Sequence, residues 1–247
     1  AAESATLSVA AAGGRQATFE EEELTRVQEL ALTMVTARRV DAGTTTVVLS
    51  PRVSALLFGA CVAPCLRLTP AKRRIGSKLI HVTDEPTRAG FGTRYFDQEG
   101  RRLSTAPLID SGVVVAPLGG RSFGELDWSS NGLFSNLVVR PGKASLGDIL
   151  ASVDDGIVIE GPVAADIDPD SMTFSIEASR GLGVRNGTLS GRLYVRLAVH
   201  GRLDHLLYQV EAVSAETKTI PLTVGPTDSP GQVTAPGVLT RATVGPS

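Results

Sequence analysis

Ser50-Pro51-Arg52-Val53-Ser54-Ala55-Leu56-Leu57-Phe58-Gly59-Ala60-Cys61-Val62-Ala63-Pro64 is an apolar stretch that carries its own start and stop signals. Ser50 can cap a helix, because its hydroxyl oxygen can accept an unpaired N–H of the first turn. Pro51 suits the first helical position, where a missing donor costs nothing. Pro64 lacks the N–H that a continuing helix needs, so the helix is expected to stop there. Cys61 and Cys65 would share one helical face, but Pro64 between them is expected to break that geometry. Both read as small buried apolar residues.

Upstream of this helix, Thr44 to Leu49 is β-branched and apolar, the composition of a buried strand. Thr18-Phe19-Glu20-Glu21 is a capping-box pattern. It predicts a helix with Glu20 to Glu23 in its first turn and Arg38-Arg39 in its last, both signs complementing the helix dipole. Leu24, Val27, Leu30, Ala31, Met34 and Val35 supply one apolar stripe. Residues 5–10 alternate weakly, as a strand would.

Downstream, Arg67, Lys72, Arg73, Arg74 and Lys78 form a basic segment around Pro70. No aromatic side chains are interleaved for base stacking, so it reads as a solvated loop or a partner-facing surface. From Leu79 onward the pattern is short strands and turns. Strands are expected at Leu79–Val82, Ala106–Ile109, Val113–Pro117, Ser135–Val139, Ile157–Glu160, Thr173–Ala178, Thr188–Val199 and Leu206–Val213. Asp110-Ser111-Gly112 and Arg185-Asn186-Gly187 are hairpin turns. Ser145 is placed to cap a short helix, with Asp148 near its positive end. The Pro- and Gly-rich tail is given one edge strand, near Gly237–Val244.

The 247 residues carry a net charge of −2 and 42% hydrophobic content. That is a globular composition with no global pull toward nucleic acid or anionic membrane. No spanning segment and no secretion signal is read. Two cysteines make no disulfide framework, so a reducing cytoplasm is the expected compartment.

Several motifs recur in one order. They are Thr83-Asp84-Glu85-Pro86-Thr87, Phe96-Asp97-Gln98-Glu99-Gly100, Leu108-Ile109-Asp110-Ser111-Gly112-Val113, Asn136 to Gly142, and Val153 to Ile157. With the Ser50 helix, they resemble the TldD/PmbA metallopeptidase family. The resemblance implies an α+β fold: a mostly antiparallel β-sheet C-terminal domain over 44–247 with a few helices. Residues 1–43 would be the remnant of an N-terminal α/β domain, ending in the long amphipathic helix. The chain opens on alanine, and the resemblance leads to the expectation that it is a C-terminal portion, or the product of cleavage or of a split gene.

Catalytic members of that family carry His-Glu-x-x-x-His on the matching helix and bind zinc. Two imidazoles one turn apart can hold the ion, and the glutamate can act as base on its water. The matching residues here are Phe58-Gly59-Ala60-Cys61-Val62-Ala63, so the degenerate positions are Phe58, Gly59 and Ala63. The family's cysteine ligand would fall near Val213. The resemblance thus implies a TldE/PmbA-like subunit with no catalytic residue and no metal of its own. Zinc would sit in a TldD-like partner of a heterodimer. The substrate would be a peptide or a peptide-like natural-product intermediate, with no nucleic acid and no membrane as partner. Arg121, Ser129 and Asn131 are the candidate substrate or partner contacts.

Other chemistry is thinly supported. His200, Asp204 and His205 can be drawn as a hairpin metal site, although hairpin spacing rarely aims two rings at one point. His81 reads as a hydrogen-bonded sheet histidine. No Gly-x-Ser-x-Gly elbow is present, and Ser111 and Ser190 read as turn serines. Asp84, Glu85, Asp97 and Glu99 read as structural loop carboxylates. An independent hydrolase with a rebuilt site and a non-enzymatic modulator remain the alternatives.

Overall fold

The computed structural model describes residues 37–96, 100, 102–118, 134–224 and 229–247. The expected strand at 5–10 and nearly all of the helix expected up to Arg39 lie outside them. Arg38, assigned to that helix's last turn, is instead extended. It forms a bridge to Tyr194, with its N–H donating to Leu193 O at 2.9 Å and its carbonyl accepting from Val195 N at 3.1 Å.

Among the described residues, ten strands form one mixed sheet, the α+β architecture expected. They are β1 (Gly43–Leu49), β2 (Val82–Asp84), β3 (Ala106–Asp110), β4 (Val113–Val114), β5 (Asn136–Val139), β6 (Asp155–Asp168), β7 (Thr173–Arg185), β8 (Thr188–Arg202), β9 (Ala212–Val224) and β10 (Ser229–Pro246). The pairings close a ring. β1 pairs parallel with β6 and antiparallel with β10. β6, β7 and β8 form an antiparallel meander, and β8 returns to β10. Beyond the ring, β10 also pairs with β9 and β5, and β5 leads through β2 to β3 and β4.

β10 overturns the edge-strand reading of the tail. Every residue from Gly231 to Thr240 is buried. Gln232 to Thr234 have β9 on one side and β5 on the other. Prolines are tolerated because of where they fall. Gln232 N donates to Ser135 O, away from β9. Pro230 and Pro236 stand in the same phase of the ladder, so neither removes a donor from the β9 ladder. Pro221 on β9, opposite Gln232, likewise lacks its donor on the outer edge, where it discourages further strand pairing.

The meander leaves the extended conformation along one transverse line. Gly161 on β6 has φ +66° and Arg196 on β8 has φ +52°, with Ser179 of β7 lying between them in the register. On one side of this line β6 pairs with β1 at Gly156–Ile159. On the other, β8 pairs with β10 at Leu197–His200. Such departures re-aim strands, and here they fall between the two seams that close the ring.

The helix expected to end at Pro64 runs on, as α1 (Pro51–Leu68). It starts as read, with Pro51 in its first turn. Ser50 makes no side-chain cap bond. Its middle, Leu57–Val62, is a π segment in which Ala63 N–H donates to Phe58 O. A π turn widens the helix. That makes room for the Pro64 ring where a regular turn would set it against the Ala60 carbonyl. α1 is long and apolar enough to cross a membrane by length and composition, but 67% of it is buried. It is the core helix, packed on β6, β9 and β10.

The remaining helices are short. α2 (Leu146–Ala151) has the expected Ser145 cap. Ser145 Oγ accepts from Asp148 N at 3.0 Å, and Asp148 completes a capping box. α3 (Leu203–Tyr208) takes up the first three residues of the stretch read as strand Leu206–Val213. Leu203, Leu206 and Leu207 are buried at helical spacing, and the strand begins only at Ala212. β2 lies later than Leu79–Val82, and β4 is shorter than Val113–Pro117. Both expected hairpin turns form. Ser111/Gly112 and Asn186/Gly187 all have positive φ, as tight hairpins require.

Candidate functional site

The middle of α1 is an apolar seat. Phe58, Gly59 and Ala63 are all buried, and none offers a metal donor or a base. A Cβ on Gly59 would fall on Leu222 Cδ1 of β9 and within 2.7 Å of Val233 Cγ2 of β10. Phe134 Cζ stands 3.7 Å away. These residues do not fit a zinc ion. Among the described residues, no group of three or more His, Cys, Asp or Glu is arranged to hold a metal.

Two thiols lie on the same helix, which the unbroken helix brings together despite Pro64. Cys61 and Cys65 are both free and buried. Burial, with Cys65 and Asp166 nearby, pushes the Cys61 thiol up to about 12. Burial and the carboxylates of Asp168 and Asp204 push Cys65 up to about 11. Both are therefore protonated at neutral pH and poor nucleophiles.

The polar centre of the domain is built around Asp84. Its carboxylate, at the end of β2, accepts the backbone N–H of Ser135 at 3.0 Å and of Asn136 at 2.8 Å. Desolvation raises its pKa to about 6, against the lowering effect of those donors and of Arg94. The Asn136 amide donates to the carbonyls of Glu85 at 3.0 Å and Arg88 at 2.8 Å. Gln232 Oε1 accepts Phe91 N–H at 2.8 Å, and Arg94 donates to Pro230 O at 2.6 Å. The 85–94 loop is thereby pegged to β5 and β10. Asp84 is bonded to the β5 backbone, and Glu85 accepts from Thr83 and Arg88. The parts played by Asn136 and Gln232 were not legible, because nothing near them in the chain marks their partners. Asp97 and Glu99 lie outside the described residues, as do Arg121, Ser129 and Asn131.

The histidines do not converge. His81 Nδ1 lies 2.7 Å from Asp110 Oδ1, and its carbonyl accepts Arg140 N. His200 is on β8 and His205 on α3, both exposed. Asp204 is held by Arg202 through Nη2 at 2.8 Å and Nε at 3.1 Å, which lowers its pKa. Ser190 donates to Gly183 O at 3.0 Å within its hairpin.

A closed ring of strands, an apolar helix packed on β6, β9 and β10, and a pegged loop make a domain-scale scaffold, and its relatives share it. The sequence model of the PmbA/TldA metallopeptidase C-terminal domain matches residues 42–245. The chain belongs to that family. A metalloprotease of Methanocaldococcus jannaschii is 27% identical over 173 residues, covering 64% of this chain and 38% of the relative. A metalloprotease of Methanothermobacter thermautotrophicus is 23% identical over 156 residues, covering 58% and 34%. The chain thus spans well under half the length of these curated relatives. TldE from Thermococcus kodakarensis superposes with a TM-score of 0.70 at 21% identity, over 91% of this chain and 55% of that one. A proposed DNA gyrase modulator from Thermotoga maritima gives 0.72 at 22% identity, over 91% and 55%. These two show the shared fold.

Proposed function

We propose that this chain is a non-catalytic, TldE-like subunit of a TldD/TldE-type metallopeptidase, working in the cytoplasm beside a zinc-bearing partner. The observation that carries the reading is the middle of α1. Phe58, Gly59 and Ala63 supply no imidazole, carboxylate or thiolate, and their surroundings are apolar. Membership of a metallopeptidase family and a fold shared with a TldE support it. Peptide-bond chemistry then belongs to the partner, and this chain supplies part of the scaffold around a peptide or peptide-like substrate. Copurification from the native host with mass spectrometry tests it. A stoichiometric companion bearing His-Glu-x-x-x-His is expected. A lone chain that holds metal and cleaves peptides would overturn it.

An independent hydrolase finds less support. His200 and His205 lie on different elements, Asp204 is engaged by Arg202, and Cys61 is buried and protonated. Direct binding of nucleic acid is not favoured by the net charge of −2.

A further inference from the structure

We infer that the Gly59 face of α1 is a built seat for the β9–β10 ribbon, so that restoring ligand residues on this helix does not restore a zinc site. The inference rests on the reading that Phe58, Gly59 and Ala63 stand where catalytic relatives have metal-site side chains. It goes further, because simple substitution would leave space for the lost groups, and here that space is filled.

Three observations carry it. First, Gly59 is fully enclosed, and the atoms that meet its missing Cβ come from two other elements, Leu222 of β9 and Val233 of β10. Leu222 is only partly buried and can swing aside. Val233 has no exposure and one stiff rotamer axis, so it cannot. Second, Val233 is fixed from both sides, paired with Ile220 of β9 and Leu137 of β5. A shift of Val233 would therefore move three strands. Third, Gly59 lies in the π segment, which packs on β10, so the close approach depends on a residue with no side chain. A glutamate here would need room for five heavy atoms where one does not fit. Phe58 and Ala63 are likewise buried in the continuous apolar core, where an unpaired imidazole would be desolvated without a partner.

The test uses the full chain and zinc alone. The combined substitution Phe58→His, Gly59→Glu, Ala63→His is purified, dialysed against micromolar zinc and measured by elemental analysis. A folded variant with less than a tenth of an equivalent of zinc is the expected result. Near-stoichiometric zinc in a folded variant overturns the inference. Should the triple variant fail to fold, Gly59→Gln decides the matter, since it adds the glutamate's volume without its charge. Its melting temperature is expected to fall by at least ~5 °C and to recover in part when Val233→Ala is added. An unchanged melting temperature for Gly59→Gln, or no recovery with Val233→Ala, overturns the seat. Neither result depends on a partner subunit, so copurification can fail while this holds, and the reverse.

Discussion

Asp84 and Asn136 hold each other's strands in place: Asp84 Oδ1 accepts the Asn136 backbone N–H at 2.8 Å, and the Asn136 side chain donates to carbonyls of the loop that follows Asp84. One residue closes the β2–β5 junction, and the other closes the loop over it. Both are buried, so each bond is made in a medium where leaving it unmade is expensive.

The Asp84 carboxyl sets a pH dependence. Its pKa in the folded chain is raised to about 6 from an ordinary 3.8. The folded state therefore binds its proton more tightly than the unfolded state. The associated stability is full below pH ~4 and is lost as pH rises through about 6, on the order of 3 kcal/mol in all. Urea denaturation from pH 4 to 7 should show the native chain losing stability across this window relative to Asp84→Asn. A difference curve that is flat with pH would contradict this assignment.

Asn136→Ala should cost about 1–2 kcal/mol, because the part-buried carbonyls of Glu85 and Arg88 lose their donor. Amide hydrogen exchange should quicken across residues 85–94 while the ring strands keep their protection. Asn136→Asp should be worse, since it sets a charged acceptor against the same carbonyls. Equal stability of the native, Ala and Asp forms would show that the loop is not held this way.

Gly161→Ala should destabilise by about 1–2 kcal/mol, the cost of a left-handed backbone for a residue with a Cβ. The new methyl would also meet Ser179 Oγ. Adding Ser179→Gly should recover the contact part of the loss and leave the backbone part. Gly43→Ala is the control, with nothing within 4 Å and no positive φ. It should change thermal stability by less than about 0.5 kcal/mol.

Cys61 and Cys65 should resist an aromatic disulfide reagent at pH 8 in the native chain, since both are buried and held protonated. Two thiols per chain should react once the protein is unfolded. Rapid labelling of the folded protein would mean that α1 opens far more readily than its packing implies.

Local signals carried the parts whose causes are local. The Asn186-Gly187 and Ser111-Gly112 turns, the Ser145–Asp148 cap and the strand β1 each follow from residues a few positions apart and form as the chain reads, although only Val47 to Leu49 of β1 are buried. The family was legible for the same reason, as a series of short turns and strands in order. What the chain alone could not disclose depends on residues far apart in sequence. Pro64 reads as a stop and is overridden by a π turn whose widening only the packed core can sustain. The Pro-rich tail reads as an edge and becomes the central strand, because its prolines fall where the β9 ladder asks for no donor. Gly59 reads as one more small helical residue. Its meaning comes from Val233, 174 positions later, which occupies the space that a side chain would need. Sequence sets what each residue can offer, and only tertiary contact decides what space is left for it to offer it in.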